Sequence, residues 1–488
     1  MNTPLRKVGM AMLLMIVLLL ANDTFVQVIK ADTYRTDSRN RRVLYDEYSR
    51  QRGQLVAPDG TILAGVKPSG DKLNFTRNYT DGAMYAPVTG YYSINYGAGG
   101  MERIEDDVLN GSDPRLFVRR LSDMVTGRDP RGGNVKLTVD PKVQKAAYDL
   151  MTKHGYTGSV VAMEPKTGRI LAMVSTPSYD PNALATHNGK EQNSSWDKYS
   201  KDKAQPMLNR AINENYPPGS TFKLVTASAA LEAGIGPDTQ VSRAPNVQLP
   251  GTSTTLENYG GETCPGTTFK DALAHSCNVP FATFSGQLGA DKMKTTAANF
   301  GIGQSDLAVP LKVAPSTVGP LDSPPALYQS GIGQRDVRLT PLQDCLLSAT
   351  VANGGMAMKP QLVQSILAPD LSTIEDVEPE QLTGKPALSP DNAKILTDMM
   401  ISSESFTAGN GKNPALKIAS KTGTAEHGTD SKNTPPHAWY TAFAPADNPQ
   451  IAVSVIVENG GNRGLAATGG SVAAEIGRAA IAARLGGG

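Results

Sequence analysis

Three short motifs, in order, constrain what this chain can fold into more than any other feature. Ser220-Thr221-Phe222-Lys223 is an SxxK, Ser276-Cys277-Asn278 an SxN, and Lys421-Thr422-Gly423-Thr424 a KTGT. If they act together, the fold must gather segments 56 and 145 residues apart. Each motif alone is weak. SxxK recurs at Ser69–Lys72, Ser195–Lys198 and Ser200–Lys203, SxN at Ser38–Asn40 and Ser93–Asn95, and KTG at Lys166-Thr167-Gly168. The SxxK copies lie in polar, turn-rich sequence. Lys166 sits at the tip of a predicted hairpin, ahead of every serious nucleophile.

Ser220 has a different context. Pro217-Pro218-Gly219 makes a turn before it, and Phe222, Leu224, Val225 and Ala229 follow with helical spacing. This predicts a helix starting near Ser220 and running to Ala233, with free N–H groups that favour developing negative charge. Lys223, three residues on, shares a face with Ser220. A serine hydroxyl needs a base to become a nucleophile. A lysine serves only if desolvation or a nearby cation lowers its pKa, and Lys421 is a candidate for that cation. Ser276 is then a proton relay to the leaving amine, and Asn278 holds Lys223 and a substrate amide. Lys421, Thr422 and Thr424, around Gly423, bind a substrate carboxylate. The N–H groups of Ser220 and Thr424 make an oxyanion hole. The plainer readings are an N-cap serine, an exposed turn and a chance triplet.

Along the chain, Arg52 to Val56 and Thr61 to Ala64 flank Pro58-Asp59-Gly60 as a hairpin. Gly127-Arg128-Asp129-Pro130-Arg131-Gly132-Gly133 is a breaker cluster and a candidate boundary. Val135 to Val139 reads as a strand, and Asp140-Pro141 caps a helix from Lys142 to Lys153. Ser159 to Met163 and Ile170 to Val174 form a second hairpin, and 182–205 reads as loop. Leu416 to Ala419, Trp439 to Phe443 and Ile451 to Val457 read as strands before a helix from Ser471 to Leu485. The fold class is α+β, with a mostly antiparallel sheet that pairs early and late segments and is flanked by helices. The expected division is an anchor at 1–30, a smaller N-terminal domain at 31–133 and the main domain at 134–488.

Arg6 and Lys7 precede an uncharged apolar run from Val8 to Ala21, extendable through Ile29 if Asn22, Asp23 and Thr24 sit at the far interface. A cleaved signal peptide would need small residues before the cut. Ala21 has Leu19 two places before it and Ala31 has Ile29, so an uncleaved, single-pass anchor is the better reading. Lys30, Arg35, Arg39, Arg41 and Arg42 lie after the run and, taken naively, reverse its orientation. Large domains translocate largely regardless of such charges, so the catalytic part is expected outside the membrane.

Composition excludes other classes. Lys plus Arg is 47 and Asp plus Glu 46, net charge +1, so nothing favours nucleic acid in bulk. With five His, three Cys and no CxxC, a structural zinc or iron–sulfur site is not expected.

With these residues in view, the sequence resembles a class B penicillin-binding protein. Pro217 to Lys223 matches that family's nucleophile segment, and Gly158 to Gly168 resembles the opening of its transpeptidase domain. Tyr328 to Gln334 and His437 to Pro445 resemble further family segments. Arg52-Gly53-Gln54 with Asp59-Gly60, and Gly99-Gly100-Met101-Glu102, resemble short motifs of the class B pedestal. No separate glycosyltransferase domain fits before residue 150. Glu47 to Gly53 is most similar to the actinobacterial PbpA type. The resemblance implies a penicillin-binding transpeptidase domain of serine β-lactamase-like fold on a pedestal. It implies a D,D-transpeptidase that forms an acyl-enzyme on Ser220 with peptidoglycan stem peptides, is acylated by β-lactams and uses no cofactor or metal. A SEDS-type glycosyltransferase partner, division proteins and a role in division or cell shape are implied as well.

Rival readings differ in the fate of the acyl-enzyme. A class A β-lactamase needs a glutamate for the deacylating water, and no Glu lies between Glu262 and Glu375. A D,D-carboxypeptidase would use the same residues with water as acceptor. A β-lactam sensor or division scaffold would be acylated without turnover. Cys264 and Cys277, 13 apart, could pair outside the membrane and brace the SxN loop; the alternative is three buried thiols, Cys345 included.

Overall fold

The computed structural model describes residues 2–30, 48–116, 131–410 and 413–486. Arg35, Arg39, Arg41, Arg42, Glu47, the Ser38–Asn40 triplet and residues 127–130 of the breaker cluster lie outside them.

Helix α1, Asn2–Thr24, continues as a wider turn over Phe25–Ile29. Its side chains are exposed from Thr3 onward. Thr3–Ile29 is 27 residues long and contains an 18-residue stretch of mean hydropathy 2.1, long and apolar enough to cross a membrane.

The N-terminal unit is built on β1 (Leu55–Val56), β2 (Ile62–Pro68) and β3 (Phe75–Tyr79), an antiparallel run that includes the expected hairpin. Beyond it, β4 (Asn134–Leu137) pairs parallel with β1, so the boundary expected at 133/134 falls inside one sheet. Gly132 and Gly133 of the breaker cluster are wound into that unit. Gly132 donates to Gln51 O, and a Cβ on it would stand 1.8 Å from Leu109 O. Buried Glu102 accepts from Arg52 at 2.8 Å, Arg77 at 2.6 Å and Tyr79 at 3.1 Å. Burial works against its charge, but the two guanidiniums more than compensate and hold its carboxyl below the ordinary value. This network joins the two pedestal-like motifs read in the sequence.

The main unit opens with helix α2, Pro141–Lys153, which starts where Asp140 caps Lys142 N. Strands β5 (Gly158–Met163) and β6 (Ile170–Thr176) form the second hairpin. Residues 182–205, expected as loop, instead contain α3, Gly189–Lys201. The polar composition hid an amphipathic helix capped by Asn188, whose Trp196 and Tyr199 pack near Tyr91 and Tyr179. Then come α4 (Lys223–Glu232), α5 (Asn278–Asn299) and α6 (Pro341–Ala352). Strands β7 (Val363–Leu367) and β8 (Thr373–Asp376) complete the first sheet in the order β8-β7-β4-β1-β2-β3. Helix α7 (Pro390–Ser405) precedes β9 (Ala419–Ala425), β10 (His437–Ala444), β11 (Ile451–Val457) and α8 (Ala474–Leu485).

The second sheet has the order β9-β10-β11-β5-β6, antiparallel throughout. Early and late segments therefore pair, as the sequence suggests. Alternation along each strand separates two cores. Val160, Ala162, Val453 and Val455 pack with Val143, Ala147, Ile476 and Ile481 of α2 and α8. Val161, Met163 and Ala452 pack with Leu342, Cys345 and Leu346 of α6 on the opposite face. The central α6 is buried along nearly its whole length.

Candidate active site

The nucleophile segment is a 3-10 turn, Gly219–Phe222, and the α-helix starts only at Lys223. The turn is held on two sides. Gly219 has φ +56° and donates to Gly333 O at 3.0 Å; a Cβ on Gly333 would stand 2.0 Å from Gly219 O. Trp439 Nε1 donates to Pro217 O at 3.0 Å. Phe222 and Lys223 are buried, whereas Ser220 is partly open.

The SxN segment lies between a short helix, Phe269–Ala274, and α5. Ser276 has φ +58°, a conformation that costs a non-glycine residue about 1–3 kcal/mol. The strained residue presents both its carbonyl and its hydroxyl to the site. Lys223 Nζ donates to Ser276 O at 2.7 Å and to Asn278 Oδ1 at 2.8 Å, with Ser276 Oγ at 3.4 Å.

Sequence pattern places Lys421 after a strand, but it lies inside one. Residues Leu416 to Ala419 are mostly irregular, and β9 begins at Ala419 because Lys421 pairs with Thr441 and Gly423 with Trp439. The strand is the edge of its sheet, so alternate backbone groups face away from β10 toward the Ser220 turn. Gly423 permits that approach, since a Cβ there would stand 2.7 Å from Pro218 O. Lys421 Nζ donates to Ser276 Oγ at 2.8 Å and to Thr422 O at 2.9 Å. Thr422 and Thr424 are partly open.

Ser276 thus bonds both lysines, and all three motifs converge. Burial, and then the neighbouring Lys421 charge, push the Lys223 amine well below the usual lysine range. A neutral amine has two hydrogens, and the bonds to Ser276 O and Asn278 Oδ1 use both. Its lone pair is left to accept a proton. Burial brings Lys421 down to about 7. Among the described residues no carboxylate forms an ion pair with it. Its protonated form is therefore a buried cation suited to an incoming anion.

Two supports have no sequence motif. Asn278 Nδ2 donates to Glu257 O at 2.8 Å, and a backbone carbonyl leaves no sequence signal. Asp344, fully buried in α6, accepts from Ser454 Oγ at 2.7 Å, and burial raises it to about 6. A lone carboxyl among Leu342, Cys345, Leu346 and Leu347 was the available signal.

Cys264 and Cys277 form a disulfide, and Cys345 is free and buried. In the chain-entropy model, closing this loop stabilises the fold by about 3 kcal/mol. Cys264→Ser should lower unfolding stability in urea by that order. Unfolded but unreduced parent should accept one equivalent of a thiol alkylator; three equivalents would exclude the bond.

Residues 158–482 match the model of the penicillin-binding protein transpeptidase domain, and residues 52–135 match the penicillin-binding protein A dimerisation domain. The chain belongs to the class B penicillin-binding proteins of transpeptidase type. It is 55% identical over 492 residues to the peptidoglycan D,D-transpeptidase PbpA of Mycolicibacterium smegmatis, covering 99% of both chains. It is 50% identical to the PbpA of Mycobacterium tuberculosis, again over 99% of both. The solved ceftriaxone acyl-enzyme complex of penicillin-binding protein A from M. tuberculosis superposes with a TM-score of 0.88 at 50% identity, covering 90% of this chain and 100% of that one. The penicillin G acyl-enzyme complex gives 0.85 at 49%, covering 89% and 100%.

Proposed function

We infer that this chain is a peptidoglycan D,D-transpeptidase that works through an acyl-enzyme on Ser220. The observation that carries the reading is the buried Lys223 amine. It is tied to Ser276 O and Asn278 Oδ1 and lies beside a second buried lysine. Lys223 accepts the Ser220 proton as Oγ attacks the penultimate D-Ala carbonyl of a donor stem peptide. The N–H groups of Ser220 and Thr424 take the oxyanion. Lys421, Thr422 and Thr424 hold the terminal carboxylate. Ser276 relays the proton now on Lys223 to the leaving D-Ala amine as the C–N bond breaks, which returns both groups to their starting states. An amine of a second stem then attacks the ester, its proton passes through Lys223 to the departing Ser220 oxygen, and the cross-link forms as Ser220 is freed. β-Lactams acylate the same hydroxyl.

The division we infer is an anchor at 1–30, a pedestal at 31–133 and a transpeptidase domain at 134–488, with β4, β7 and β8 of the last extending the pedestal sheet. The apolar α1 supports a single-pass anchor with the catalytic part on the outer side. Membership of the class B penicillin-binding proteins supports a separate polymerase partner of the SEDS type, in division or cell shape. The test is full-length protein in detergent with a pentapeptide donor and a stem-peptide acceptor, read by mass spectrometry. Cross-linked product with one D-Ala released per bond is expected. Hydrolysed donor alone would make it a carboxypeptidase, and β-lactam labelling without either product a sensor.

A further inference from the structure

We propose that Asn258 is a positioning residue for the base: it caps α5 from outside the helix and so holds Asn278 and Ser276 against Lys223. The inference rests on Lys223 acting as the base for Ser220.

A helix leaves its first N–H groups without intrahelical partners, and the N-cap side chain normally supplies an acceptor. At α5 that position is Cys277, which makes no side-chain cap and whose sulfur is committed to Cys264. Each N–H of the first turn is nonetheless satisfied. Cys277 N donates to Ala272 O at 2.9 Å. Asn278 N and Val279 N both donate to Asn258 Oδ1, at 2.8 Å and 3.0 Å. Pro280 has no N–H to satisfy.

Asn258 is itself fixed. It is buried, at 7% exposure, and its Nδ2 donates to Ala244 O and Glu262 O, each at 3.0 Å. All its polar capacity is therefore used, and rotation of the amide would oppose donors to donors. The neighbouring Glu257 carbonyl takes Asn278 Nδ2, which turns Asn278 Oδ1 toward Lys223. The segment carrying Asn258 is bound to the SxN loop a second time by the disulfide. The covalent link fixes distance, and the amide fixes the orientation of Asn278. Misplacing a catalytic group by about 1 Å can cost on the order of 100-fold.

The test is fluorescent-penicillin acylation of the full-length chain across a pH series, with thermal melting in parallel. Lys421 is the charged group facing Lys223, so the rising limb reports Lys223 beside it. In Asn258→Ala, acylation should slow by about 10- to 100-fold in protein that melts cooperatively and labels to the parent stoichiometry. Asn258→Asp keeps the acceptor for both N–H groups. Its second oxygen replaces Nδ2 against the Ala244 and Glu262 carbonyls, so it should label more slowly than the parent but faster than the alanine variant, with its rising limb at higher pH because an added anion favours protonated Lys223. If the alanine variant does not fold, the aspartate variant decides alone on the same two readouts. Parent-like rates and an unmoved limb in the folded variants would reduce Asn258 to a fold contact and overturn the proposal. A parent that takes no label would instead remove the reading beneath it, before any variant is compared.

Discussion

Ser220→Ala should abolish covalent labelling by a fluorescent penicillin and reduce cross-linking by about six orders of magnitude, the scale seen when an acyl-enzyme nucleophile is removed. The effect is all-or-none because no neighbouring hydroxyl has the same surroundings. Thr221 is buried and donates to Pro218 O, and Ser276 is bonded by both lysines. The fold should be indifferent. Ser220 is partly open, and substitutions of that kind usually change stability by less than about 0.5 kcal/mol. Intact-mass analysis after penicillin exposure checks it: the parent gains one adduct and the variant none. An adduct of equal stoichiometry on the variant would displace Ser220 as nucleophile.

The next largest effect is expected at Lys223. Lys223→Met keeps the length of the buried side chain and removes the base, so acylation should fall by about 10²–10⁴ while Ser220 stays in place. The pH profile of the parent gives the sign. Acylation needs neutral Lys223, so the rate rises as pH climbs through a value well below that of an ordinary lysine. Binding of a carboxylate needs charged Lys421, so the second-order rate declines above about 7. A bound carboxylate favours the ammonium and moves this falling limb upward in the complex. The limb seen in the acylation rate at saturation should therefore lie at higher pH than the limb in the second-order rate. In Lys223→Met the rising limb should vanish. A residual rate that keeps the parent's rising limb would assign the base elsewhere. Stopped-flow acylation by penicillin G reads both limbs.

Much of the site was legible because its signals are local. Proline and glycine before Ser220, apolar spacing after it, and three residues to Lys223 predict a nucleophile at a helix start from the sequence alone. The α-helix itself starts one turn later, since a 3-10 turn fits between Gly219 and the strand it packs on. Polar composition conceals α3, whose Trp196 packs on Tyr91 and Tyr96 of the N-terminal unit. Apolar pattern places the strand holding Lys421 too early, because its extent is set by pairing with β10 and not by its own apolar residues.

What the sequence by itself determined is the class of chemistry: the order and types of the SxxK, SxN and KTGT residues, the apolar N-terminal run, and the alternation of β5, β10 and β11. Only the tertiary structure decided that Ser276 bonds both lysines, that β4 joins the pedestal sheet, and that Asn258 caps a helix begun twenty residues later. The reason is physical. Periodicity, capping and turn formation act over a few residues and leave a local trace. Burial of a lysine, the pairing of an edge strand and a cap supplied from another segment depend on which distant surfaces meet.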